Sequence, residues 1–275
     1  QVYPATSVES ATETYSANVN YNSSAFGVIT GFLLFNGTQY IGTRTGTGNN
    51  ATFSADAIMP PVTTPTNITG VWTISLTDVS GTLNYNLTAN NVSVEIINLS
   101  LCGSPHTVPF WNFTVYNETN LAELNATFEA TFSVRQTGST NTNEFSYADT
   151  GGLNSQYDFC ISPSTESYTV SNSIKLTKAG YVDKFYNFQD TIITNSTRED
   201  GLYMMTTGDS TSFIVHVVDV SASDVEGAEV LVQRYYQGTG QWLTTEILTT
   251  NYVGEAVGHL LSEDADYRFN VSQNG

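Results

Sequence analysis

The feature that most constrains this chain is a short apolar alternation that keeps restarting. Val92 and Val94 alternate with Ser93 and Glu95, and Phe128, Ala130, Phe132 and Val134 alternate with Glu129, Thr131 and Ser133. Val230 and Val232 lead into the turn Gln237-Gly238-Thr239-Gly240, and an apolar run from Trp242 to Leu248 returns. A period of two places every second side chain on one face of a pleated strand. No long segment carries the 3.6-residue period of a helix. The chain therefore reads as all-β, and its 275 residues suit tandem Ig-like or prealbumin-like β-sandwich domains.

Turn signals place the domains. Residues 14–101 read as an Ig-like β-sandwich, with strand after strand. The apolar run 29–35 is followed by Asn36-Gly37, the strongest short hairpin signal, and Pro60, Pro61 and Pro65 bound a loop. After Glu95 the apolar phase slips by one residue onto Ile97, Leu99 and Leu101, which predicts a β-bulge near Ile96. Residues 102–200 read as a second β-rich domain with a helical turn at 120–124. There the aromatic-rich stretch 181–188, with Lys184 in it, reads as core plus rim. Residues 201–275 form a third sandwich, in which Trp242 faces a partner or another domain. Residues 1–13 read as an extended N-terminal arm, either a frayed end or a strand that pairs with a neighbouring subunit's open sheet edge. Gln1 reads as a mature N-terminus left by signal removal, and the final strand near Val271 ends abruptly enough for the chain to continue.

Composition sets the surroundings. Charged residues are 12% of the chain, about half the usual share, so Ser, Thr, Asn and Gly must cover the surface. A surface of that kind suits an extracellular or cell-surface protein. The net charge of −18, with no Lys before Lys175, repels phosphate backbones, so nucleic acid is excluded as a partner and anionic membranes are disfavoured. No apolar run of 18 residues occurs, so this chain carries no membrane span. Ca²⁺ is the only cofactor the acids suggest, at Glu263-Asp264-Ala265-Asp266 or at Asp219 with Asp224 and Glu226. Neither set matches the twelve-residue calcium loop, and a solvated acidic loop explains both.

Cys102 and Cys160 are the only cysteines. In a polar, secreted-looking chain they pair most simply as a disulfide; the rival reading is two free thiols. The bridge would close a loop worth about 4 kcal/mol of chain entropy. Asn-x-Ser/Thr occurs twelve times, at Asn22, Asn36, Asn50, Asn67, Asn86, Asn91, Asn98, Asn112, Asn117, Asn125, Asn195 and Asn270. N-linked glycans at these positions would sheathe the first half and leave the last third bare for protein contacts.

The order of parts in the last region resembles the carboxypeptidase-regulatory-like and Cna-B-like β-sandwich modules. The matching parts are Val217 to Asp219, Gly227-Ala228-Glu229-Val230, Thr250 to Ala256, and Tyr267 to Val271. Asp224-Val225 stands where those families usually have Pro, and Asn251 where they have Asp. The resemblance implies a rigid, non-catalytic spacer or stalk element. Some relatives carry an internal Lys–Asn isopeptide bond; residues 211–275 contain no Lys, which excludes it within this module. Residues 19–60 resemble the Ig-like modules of archaeal and viral surface proteins.

No catalytic pattern accompanies these modules. His106, His216 and His259 are scattered, and neither H-E-x-x-H nor G-x-S-x-G nor a phosphate-binding glycine loop occurs. Gly46-Thr47-Gly48 lies in a hairpin turn and not ahead of a helix. The expected function is that of a secreted, glycosylated, non-catalytic structural protein of a cell surface or extracellular filament. Self-association through the sandwich modules, and through the N-terminal strand, would build it. The alternative is an adhesin or virion spike or fibre that binds a receptor or glycan.

Overall fold

In a computed structural model that describes residues 1–152, 154–261 and 265–273, the alternating runs become 22 strands, and the described residues contain no helix. The chain divides into two units, Gln1–Asn98 with Arg135–Asn143, and Leu99–Val134 with the chain from Glu144 onward.

The first unit holds β1 (Thr6–Val8), β2 (Thr12–Asn20), β3 (Val28–Phe35), β4 (Thr38–Ile41), β5 (Thr43–Thr45), β6 (Asn50–Ile58), β7 (Thr66–Asp78), β8 (Gly81–Asn86) and β9 (Asn90–Glu95). One sheet runs β1-β9-β7-β3-β4, with β8 also on β7, and the other runs β2-β6-β5. The alternation decides the faces: in β6 Ala51, Phe53, Ala55 and Ala57 point inward, and in β7 Trp72 and Ile74 do. Phe53 and Trp72 meet between the sheets with ring centroids 6.4 Å apart. Each fully buried side chain of this size contributes about 1.5–3 kcal/mol. Asn36 and Gly37 close the β3–β4 hairpin with φ of 47° and 75°, the two positive values that a type I′ turn requires. All six residues of β8 are exposed, and β8 pairs along one side only, with β7.

The second unit holds β10 (Asn98–Leu101), β11 (Pro109–Asn117), β12 (Thr127–Gln136), β13 (Asn143–Asp149), β14 (Gln156–Ser162), β15 (Tyr168–Thr177), β16 (Lys184–Ile193), β17 (Arg198–Met204), β18 (Ser210–His216), β19 (Glu229–Tyr236), β20 (Gln241–Thr249), β21 (Glu255–Leu261) and β22 (Tyr267–Ser272). A four-stranded sheet, β10-β14-β11-β17, faces a seven-stranded one, β13-β12-β15-β16-β20-β19-β22. Between them Trp111 packs on Phe188, and Phe113 on Phe128. A second core gathers Val230, Val232, Leu248 and Ala256 under the pair β18–β21.

Four expectations meet a different structure. The phase slip at Ile96 is no bulge: β9 ends at Glu95 and β10 starts at Asn98 in a different sheet. The break is held by Glu9, whose Oε1 accepts from Ile97 N at 2.9 Å. Residues 1–13 are no free arm, because β1 runs parallel to β9 and Val8 and Ala11 are buried. Residues 120–124 form no helical turn. Asn117 Oδ1 accepts from Thr119 N at 2.8 Å and Leu121 takes a φ of 59°, so local side-chain bonding bends the chain away from a helix. The border placed at residue 200 falls inside β17, which pairs in parallel with β11, while β16 joins β20 at Tyr186↔Ile247. The seven-stranded sheet thus takes strands from both sides of that border.

Candidate functional site: an ionic cluster and a polar groove

In β16 the inward positions are Lys184, Tyr186 and Phe188, so the alternation that buries two aromatics also buries a cation. A charge taken out of water must be compensated by partners. Lys184 Nζ stands 3.4 Å from Glu118 Oε2 and 3.4 Å from Glu246 Oε2. Glu118 lies just after β11 and Glu246 in β20, and both side chains are buried. Tyr267 in β22 donates its hydroxyl to Glu118 Oε1 at 2.7 Å. Arg234 Nη1 and the Tyr236 hydroxyl, both from β19, donate to the Glu118 carbonyl at 2.8 and 2.9 Å. His259 in β21 donates its backbone N–H to Glu246 Oε2 at 2.7 Å, and its Nδ1 lies 3.1 Å from Oε1. Burial pushes the Glu118 carboxyl above the ordinary carboxylate range, with the attraction of Lys184 and the Tyr267 hydroxyl pulling the other way. The cluster therefore gathers the turn after β11 with β16, β19, β20, β21 and β22 around one ammonium.

Beside it, the fully buried Tyr186 hydroxyl donates to Thr245 O at 2.6 Å and accepts from Tyr203 N at 2.5 Å. This latches β16 to β20 and β17.

Sequence reasoning placed Lys184 in an aromatic stretch read as core plus rim and looked for a lysine partner of the last module only within 211–275, so it did not join the two. The structure brings Lys184 into that core from β16. The available signal was a Lys in phase with Tyr186 and Phe188.

The sequence-predicted residues are dispersed. Cys102 and Cys160 are joined, tying the end of β10 to β14. Nine of the sequon asparagines are exposed, while Asn98, Asn112 and Asn117 are half-buried. Asp219 caps its own turn by accepting from Ser221 N and Ser223 N, and Asp224 pairs with His216 at 2.8 Å. Glu263 and Asp264 lie outside the described residues, and among those described no group of three or more His, Cys, Asp or Glu is placed to hold a metal. His106 lies between β10 and β11, His216 ends β18 and His259 lies in β21. Trp242 is covered from within the unit, by the Arg268 guanidinium 4.6 Å from its ring centre and by Tyr235.

The outer face of the four-stranded sheet forms a groove of about 590 Å³. Pairing register sets its floor in rows. Asn112 and Glu199 lie side by side, then Gln156, Thr114 and Gly201, then Tyr116 and Tyr203. The two tyrosine rings stack at 5.6 Å. Gly201 is required: a Cβ there would stand 2.8 Å from the Tyr203 hydroxyl, which lies over it. Burial raises the Tyr203 phenol to about 12, so it is a neutral donor at any physiological pH. Leu121, Asp200 and, from β20, Gln241 and Leu243 complete the lining.

A scan against known protein families finds no match, and neither does a search of curated proteins. Among solved structures the chain is similar to a streptococcal ancillary pilin, with 10% identity and a TM-score of 0.20 over 96% of each chain. It is similar to BcpA, the major pilin subunit of Bacillus cereus, with 11% identity and a TM-score of 0.25 over 72% of this chain and 61% of that one. It is equally similar to the FN1–FN3 domains of chicken CNTN1, with 10% identity and a TM-score of 0.20 over 98% of this chain and 92% of that one. These loose superpositions have in common only their β-sandwich build.

Proposed function

We propose that this chain is a secreted, glycosylated, non-catalytic structural protein of a cell surface or extracellular filament. One observation carries the reading: each buried charged side chain among the described residues serves to join strands. Glu118, Lys184 and Glu246 form the cluster in the second unit. Glu9 in the first unit accepts from Ile97 N and Val62 N. Buried charge is costly, and enzymes place it where it faces a substrate. Here it stiffens β-sandwiches. The disulfide and the exposed sequons support an oxidising, glycosylating compartment.

The test is negative-stain electron microscopy of the protein purified from its native source, with peptide mass spectrometry of the twelve sequons on the same sample. Filaments or ordered arrays with occupied sequons are the expected outcome. Dispersed single particles at every concentration would overturn the assembly reading, and twelve bare asparagines would overturn the glycoprotein reading.

A further inference from the structure

We propose that the groove on the four-stranded sheet is a seat for a neutral saccharide. This goes beyond the structural role and stands whether or not the chain assembles.

Among the lining side chains the Glu199 carboxylate accepts hydrogen bonds only, the Gln156 amide both donates and accepts, and Thr114 adds a hydroxyl, while the Asn112 amide is already engaged, donating to Asp158 Oδ1 and accepting from Thr114 Oγ1. Vicinal hydroxyls are the ligand groups that satisfy such a mixed row, since each is donor and acceptor at once. The lining contains no Lys, Arg or His. Arg198, the nearest cation on β17, is already committed to Asp200, with Nη2 at 3.1 Å from Oδ1. A phosphate, sulfate or acidic sugar would therefore find no counter-charge, whereas a neutral polyol needs none.

The far end of the groove is aromatic. Tyr116 is half-buried and backed by the stacked Tyr203 ring, so it is held as a rigid plate beside the polar rows. A sugar ring has one face of C–H groups, carrying small positive charge, that matches the negative face of such a plate. The bare backbone at Gly201 lets the Tyr203 phenol lie flat over the middle of the floor, between plate and amides. The volume of about 590 Å³ falls within the range of small-molecule sites and suits a short oligosaccharide.

Asn112 adds a local source of that chemistry. Asn112-Phe113-Thr114 is itself a sequon, and its Asn and Thr both lie on the floor, with Thr114 Oγ1 donating to Asn112 Oδ1 at 3.2 Å. A glycan attached there would start inside the groove. The saccharide could equally belong to another molecule.

The experiment uses the full chain in two forms, produced without glycans and purified with them. Chitobiose and mannobiose serve as probes, followed by saturation-transfer and chemical-shift NMR at the tyrosine rings. At least one disaccharide is expected to bind the glycan-free chain. The exposed-residue variants Gln156→Ala and Glu199→Gln, whose folding is checked by circular dichroism, should each weaken it about tenfold. If the glycosylated form no longer takes the probe, and sugar protons at Asn112 show contacts to the Tyr116 ring, the chain's own glycan fills the seat. If the glycosylated form still binds, the seat serves another molecule's sugar. The proposal is overturned if neither disaccharide binds the glycan-free chain and the Asn112 glycan makes no contact with Tyr116. It is equally overturned if binding persists unchanged in both variants.

Discussion

Lys184 and Glu118 lie side by side without exposed side-chain surface, Nζ 3.4 Å from Oε2, although 66 positions separate them. Two formal charges have been moved out of water to bring the turn after β11 against β16. The arrangement is strong only while both partners are present.

Lys184→Met should therefore lower stability by about 3–5 kcal/mol, because Glu118 and Glu246 would be left as uncompensated buried carboxylates. The urea midpoint of the variant measures this. Adding Glu118→Gln and Glu246→Gln should recover most of the loss. A triple variant no better than the single one would mean that packing, rather than charge, governs the site.

The pH dependence has a definite sign. The folded-state pKa of Glu118 is raised by burial, so at pH values between the unfolded and folded pKa the folded chain holds a proton that the unfolded chain releases. The contribution of this group is fully present below the unfolded value of about 4.3 and is lost as pH rises through the raised folded value. Glu118→Gln cannot titrate. Its stability relative to the parent should rise with pH across that window, as read from urea midpoints at successive pH values. A relative stability that falls with pH would contradict the assignment.

Tyr186→Phe removes one oxygen and nothing else. Thr245 O and Tyr203 N would each lose a buried partner, for a cost of about 1–3 kcal/mol. Hydrogen exchange should show faster opening of the Tyr203 amide than of the amides in β12. Unchanged protection at Tyr203 would show that the latch carries no load.

Replacing Cys102 and Cys160 by Ser together should cost about 4 kcal/mol, since the bridge closes a loop of 58 residues. The comparison is of denaturant midpoints for the oxidised parent and the double variant. A loss of less than about 1 kcal/mol would mean that the unfolded chain is already compact without the bridge.

Much of the fold was legible because strand alternation is a local signal. Phe128, Ala130, Phe132 and Val134 all point inward as their spacing predicts, and Asn36-Gly37 turns as its dipeptide predicts. The legible part ended where an outcome depends on distant residues. The slip at Ile96 looks the same in sequence whether the strand bulges or stops, and only the carboxylate of Glu9, 88 positions away from Ile97, decides it. The ionic cluster was hidden for the same reason, its members being spread from Glu118 to Tyr267. The groove was hidden more deeply, because its rows are made by register between β14, β11 and β17, which a single sequence does not carry.

β8 shows its free backbone edge to solvent, and Asn86 at its end is a sequon whose Oδ1 is steadied by the Thr73 hydroxyl at 2.8 Å. A sugar there would act as a bumper. With it, two copies meeting edge to edge would be kept apart by a hydrated bush. Without it, the same edges would be free to zip together. The solubility limit of this protein would then be set at synthesis, by the cell that decorates it, and a preparation from a host that adds no sugar would associate at lower concentration for reasons unrelated to misfolding.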